Sequence, residues 1–86
     1  MRYRIILDPR AQKELARLPK RDQRHIARRI DALAEDPYPD HCVALRGKHR
    51  GFHGIRVGAY RVIYHVARSV LTVTVVRIGH RCALTG

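Results

Sequence analysis

Ile55-Arg56-Val57-Gly58-Ala59-Tyr60-Arg61-Val62-Ile63-Tyr64-His65-Val66 decides the fold. Its apolar residues recur with a period of two on either side of a Gly-Ala pair. That is the signature of two antiparallel strands joined by a tight hairpin turn. Tyr60, Val62, Tyr64 and Val66 share one face, and Arg61, Ile63 and His65 the other. Residues that alternate in this way belong to a sheet with one face packed and one face open.

On the C-terminal side, Arg68-Ser69 reads as the next turn. Leu71 to Ile78 follows as a near-continuous β-branched run, the pattern of a central strand buried on both sides. On the N-terminal side, Arg46-Gly47-Lys48-His49-Arg50-Gly51 is a basic loop bracketed by glycines, preceded by a short apolar stretch from Cys42 to Leu45. Glu35-Asp36-Pro37-Tyr38-Pro39-Asp40 is a linker, since two prolines and three neighbouring acids cannot continue a helix.

Before the linker the period changes to that of a helix. Ala11, Leu15 and Leu18 form one apolar stripe from Pro9 to Leu18, and Ile26, Ile30 and Leu33 form another from about Lys20 to Ala34. Asp8 is a suitable N-cap with Pro9 in the first turn, and Pro19 separates the two helices. Tyr3 to Leu7 reads as a first strand, with Arg2 and Arg4 opposite Tyr3, Ile5 and Leu7. The expected fold is a single α+β domain spanning residues 1–86. Its order is β-α-α followed by a three- or four-stranded antiparallel meander, with the helix hairpin on one sheet face.

Charge says what the open face meets. The 86 residues carry 18 Lys and Arg against 7 Asp and Glu, a formal charge of +11. No acid follows Asp40, whereas Arg46, Lys48, Arg50, Arg56, Arg61, Arg68, Arg77 and Arg81 all do, together with five histidines. Asp and Glu are therefore excluded as general acid or base in this half, and a polyanion, nucleic acid first, is the expected partner. Arginine predominates among the bases; a compositional bias accounts for the Arg-to-Lys ratio as well as phosphate recognition does, but not for the missing acids. Cys42 and Cys82 form no CxxC pair or disulfide framework, and Cys42, His49 and His53 match no zinc-module spacing, so neither a metal nor another cofactor is expected. The apolar run Ile5 to Leu7 is too short for a secretory or spanning segment, which makes the cytoplasm the default and assigns no membrane partner.

The runs Leu15-Ala16-Arg17-Leu18-Pro19, Ile30-Asp31-Ala32-Leu33-Ala34-Glu35-Asp36-Pro37, Leu45-Arg46-Gly47, Ile55 to Tyr64 and Arg77-Ile78-Gly79-His80-Arg81 resemble, in order and spacing, the RelE toxins of bacterial type II toxin–antitoxin pairs. The resemblance implies a ribosome-dependent endonuclease that cuts mRNA by attack of a 2′-OH on the adjacent phosphate. A cognate antitoxin, expected to bring an acidic segment, silences it. It implies that Arg61 and Arg81 contact the scissile phosphate and that Arg56 lines the site. Arg46, Lys48 and Arg50, on the glycine-bracketed loop, are candidates for RNA backbone contact. Two departures stand out: Thr85 occupies the place of a Tyr that many relatives use as general acid or stacking group, and Gly54 replaces a frequent Arg or Lys. His80, beside Arg81, is the candidate proton donor in place of the Tyr, although strand alternation sets the two on opposite faces. His53 and His65 are lesser candidates, and Tyr60 and Tyr64 read as core. The ParE toxins, which share the fold but poison DNA gyrase, mark the alternative of a non-hydrolytic protein, as does a degraded toxin that only binds antitoxin or RNA.

Overall fold

The protein, described here over residues 2–80 by a computed structural model, lays two helices on one face of a five-stranded sheet. In chain order the elements are β1 (Arg4–Leu7), α1 (Pro9–Ala16), α2 (Lys20–Ala32), β2 (Val43–Ala44), β3 (His53–Val57), β4 (Tyr60–Ala67) and β5 (Thr72–His80). The sheet order is β1-β5-β4-β3-β2, so β2 to β5 form the four-stranded meander. β1 lies at the edge beyond β5 and runs parallel to it, from Arg4 opposite Thr72 to Leu7 opposite Val75.

Local chemistry sets the element ends. Asp8 caps α1 by accepting from the Arg10 N–H at 3.3 Å, with Pro9 in the first turn. α1 stops at Ala16, two residues before the expected Leu18. There the Arg17 and Leu18 amides tighten onto the carbonyls three residues back, and the Gln23 side-chain amide donates to Leu18 O at 2.8 Å. α2 likewise tightens at Leu33 and Ala34, which nonetheless remain buried. The β3–β4 turn has Gly58 at φ 61°, a value that glycine alone adopts freely and that matches the twist of the flanking strands.

The core fills the space between the helices and one sheet face. Ala11, Ile26, Ile30 and Leu33 meet Ile55, Val57, Val62, Tyr64, Val73, Val75 and Ile78, with Leu15 and Leu18 packed at the margin. The Tyr64 hydroxyl donates to Pro37 O at 2.7 Å, which pins the linker to the sheet. β5 departs from the sequence expectation. It begins at Thr72, because Leu71 adopts a left-handed turn conformation (φ 47°), and only one of its faces is fully buried. Val73 and Val75 are wholly enclosed under the helices, whereas Thr72, Thr74 and Val76 on the other face are half-buried, since no layer covers them.

A bulge interrupts β5. Ile63 pairs with Arg77 but Tyr64 pairs with Val75, leaving Val76 as the extra residue and returning Ile78 to the helix face opposite Val62. β1 has already ended there. In its place the Glu14 carboxylate of α1 accepts from the Ile78 backbone N–H at 2.8 Å and from Arg77 Nε at 3.2 Å. A helix side chain thus continues the ladder where the edge strand stops.

Candidate nucleic-acid interface

Strand alternation that buries Ile55, Val57 and Val62 must turn Arg56 and Arg61 outward. The hairpin register sets these two arginines directly opposite each other, Arg56 on β3 and Arg61 on β4. Side chains so paired stand about 5 Å apart at Cβ, and like charges there repel. The ion pairs among the described residues are Arg2 with Glu35, and Arg10 and Arg77 with Glu14, so no carboxylate neutralises Arg56 or Arg61. Two unneutralised guanidinium forks held side by side form a receptor for an oxyanion such as a phosphate.

A cavity of about 700 Å³ surrounds the pair, lined also by Arg29, His41, Val43, Gly54 and Ile55. It opens because β2 is only two residues long. Val43 pairs with Gly54, and β3 beyond that point has no outer neighbour. The Arg29 guanidinium is hydrogen-bonded to the His41 ring at this edge. Neither residue was singled out by sequence reasoning; the available signal was that Arg29 flanks Ile30 on the buried side of α2. Gly54 lies buried beneath Arg61, and a Cβ there would meet Leu45 Cδ2 at 3.5 Å and Arg61 Cδ at 3.7 Å, ordinary packing distances, so the cleft does not depend on its being glycine.

The basic loop adds cations at the adjoining edge. Gly47–His49 is a single 3₁₀ turn, with Arg46, Lys48 and Arg50 exposed. Arg46 and Arg50 line a second hollow of about 480 Å³ with Ala44, Leu45 and Gly47, whereas Lys48 borders neither hollow.

The histidines separate by face. His65 is exposed on the same face as Arg61, 5.4 Å between ring centroids from Phe52. His80 pairs with Tyr60, stacks on its ring at 4.8 Å, and so lies on the helix side of the sheet; Arg61 pairs with Gly79. The structure therefore does not bring His80 to Arg61. His53 sits on the helix side too, between Tyr38 and Tyr64, with Nδ1 buried and no partner for it among the described residues. Arg81, Cys82 and Thr85 lie outside the described residues.

The two strand tyrosines belong to the helix side. The Tyr60 hydroxyl donates to Asp22 Oδ2 at 2.8 Å, and that bond, then burial, raises its pKa above the usual phenol value. Burial, then the neighbouring Cys42 thiol, raises that of Tyr64 further. Both stay neutral near pH 7, and neither is placed to serve the Arg56–Arg61 cleft. Among the described residues no three His, Cys, Asp or Glu side chains converge as a metal site would require, and no helix is long and apolar enough to cross a membrane.

Comparison with known proteins matches this arrangement to one group. Residues 5–82 match the family described as the ParE toxin of the type II toxin–antitoxin system parDE. No curated protein sequence matches the chain. Among solved structures, the chain is similar to one in the RelBE2 toxin–antitoxin complex of Mycobacterium tuberculosis, at 26% identity and TM-score 0.84, covering 94% of this chain and 100% of that one. It is similar to one in the archaeal RelE–RelB complex of Pyrococcus horikoshii, at 29% identity and TM-score 0.81, covering 94% and 97%. The fold is also that of a double mutant of E. coli RelE in the free state, at 22% identity and TM-score 0.80 over 98% and 88% of the two chains. A match across nearly the whole sequence, over a sheet whose open face carries paired arginines, makes the chain a member of the ParE toxin family, a type II toxin of the RelE/ParE superfamily.

Proposed function

We propose that this toxin is an endoribonuclease that cuts mRNA on the ribosome and is neutralised by a cognate antitoxin presenting an acidic segment. The observation that carries the reading is the Arg56–Arg61 cross-strand pair in a cleft where no described residue supplies a counter-ion. In-line attack of a 2′-OH on the adjacent phosphate gathers negative charge on the non-bridging oxygens, and leaves a 2′,3′-cyclic phosphate and a 5′-OH. Arg61 and Arg56 stabilise that charge by forked hydrogen bonds that strengthen as it develops. Arg81 is assigned the second arm of the phosphate clamp. Arg46, Lys48 and Arg50 hold the flanking backbone. For His80 to donate the proton, the leaving oxygen must pass the end of β5, since its ring packs on Tyr60 behind the sheet.

The structures of similar chains in complex with RelB-type antitoxins support the antitoxin partner. The ParE description of the matching family favours a second reading, inhibition of DNA gyrase without hydrolysis. Purified toxin added to a cell-free translation reaction separates the two. Cuts inside the reading frame, mapped by primer extension and absent with Arg61→Ala/Arg81→Ala, are the expected result. Intact message and normal translation, with gyrase supercoiling blocked in a parallel assay, would overturn the nuclease reading in favour of the second.

A further inference from the structure

The open face holds a third hollow that phosphate chemistry does not account for. About 390 Å³ in volume, it is lined by Arg50, Gly51, Phe52, His65, Thr74 and Val76. Its walls differ in kind from the Arg56–Arg61 cleft: two aromatic rings, a methyl-bearing hydroxyl and an aliphatic side chain, with one guanidinium at the rim. The register produces this grouping. His65 pairs with Thr74 across β4 and β5, and Phe52, one residue before the His53–Tyr64 pair, falls beside His65. The rings meet tilted at 56°, so together they form a corner and not a flat sheet. His65 keeps an exposed ring on a strand whose next residues, Val66 and Ala67, are at least half covered.

We infer that this hollow is a nucleobase-binding subsite, in which one unpaired RNA base stacks against Phe52 and His65 while Thr74 and the His65 ring nitrogens meet its polar edge. Three features argue for a base. An aromatic corner offers a planar heterocycle a stacking surface on one ring and an edge contact with the other. Arg50 lines both this hollow and the basic one beside it, so a strand whose phosphates follow the cationic edge brings a base to the aromatic corner. Arg61 and His65 stand four residues apart on β4, about 13 Å. The base therefore belongs to a nucleotide flanking the one whose phosphate Arg61 holds. Stacking alone is tolerant of sequence, so any preference for one base comes from the Thr74 and His65 edge. The site would thus bias which flanking base is tolerated beside the cleaved bond, and it rests on the RNA reading proposed above.

The test is a fluorescence titration with short single-stranded RNAs carrying 2-aminopurine at one position at a time. Wild-type toxin is expected to quench one position far more than its neighbours. Phe52→Leu and His65→Gln should abolish that positional quench and weaken binding about tenfold, the lower end of what one base–aromatic stack supplies. Phe52→Leu keeps an apolar side chain, and His65→Gln changes an exposed one, so a thermal melt near that of wild type accompanies the expected result. Arg56→Ala should weaken binding yet keep the positional quench once RNA saturates the protein. Equal quenching at every position, no binding by wild type, or variants that quench as wild type does would each overturn the inference. Positional quenching without any cut in the translation reaction would sink the nuclease reading alone and leave the base subsite standing.

Discussion

The two faces of one sheet are built from alternate residues of the same strands, yet they follow opposite rules. On the helix side, polar groups are matched with the exception of His53 Nδ1: Tyr60 donates to Asp22, Tyr64 to Pro37 O, and Glu14 receives both Ile78 N–H and Arg77. On the open side, Arg56 faces Arg61 with no acid beside them among the described residues, and Ile63, wholly buried between them and His65, is the main apolar anchor. Paired polar groups and enclosed aliphatic side chains serve folding. Unpaired like charges oppose it, and on the reading proposed above they are retained for a ligand that supplies the missing anion.

The contrast is broken most severely from the helix side. Ile30→Ala, which empties a site only 2% exposed, should cost about 2–5 kcal/mol in a denaturant titration, while Arg56→Ala should not destabilise at all. Comparable losses would erase the division between the faces. Next in size, Arg61→Ala should lower the rate of mRNA cleavage by about 10²–10³-fold with the melting temperature unchanged or raised. A fall in both would mean that Arg61 serves the fold.

A smaller effect is expected at the sheet edge. Glu14→Ala leaves the Ile78 amide without its acceptor, which should cost about 1–3 kcal/mol and speed hydrogen exchange at that amide in particular. Protection equal to wild type would show that the carboxylate does not replace the edge strand. Smallest, Arg56→Thr should stabilise the free protein by about 0.2–1 kcal/mol at low ionic strength, by removing the cross-strand repulsion. The gain should fade in high salt, and a gain indifferent to salt would point away from charge.

Much of this was legible because period and punctuation agree locally. The hairpin around Gly58-Ala59 places Arg56 opposite Arg61 once the turn is read as two residues, so the cleft's central pair follows from sequence. Helix stripes at Ala11, Ile26, Ile30 and Leu33 named their own core. The bulge at Val76 was not legible, because neither Gly nor Pro marks it, and the Glu14 carboxylate that meets β5 just beyond it comes from another element. Nor could Arg29 and His41 be assigned to the cleft. They come together across the unpaired edge of β3, and only the shortness of β2 exposes that edge. His80 shows the same limit. Its face depends on the register with Tyr60, which the bulge upstream resets.

The parallel pairing of β1 with β5 has a consequence in time. Among the described residues the first strand in chain order finds its sheet partner in the last, with Arg4 opposite Thr72, so this contact joins residues far apart in sequence. Closing so long a loop before any pairing rewards it makes such a strand late to dock. During folding β1 must wait while the meander of β2 to β5 assembles, so the sheet acquires its parallel edge last, and a chain that has built only its antiparallel part still lacks that edge.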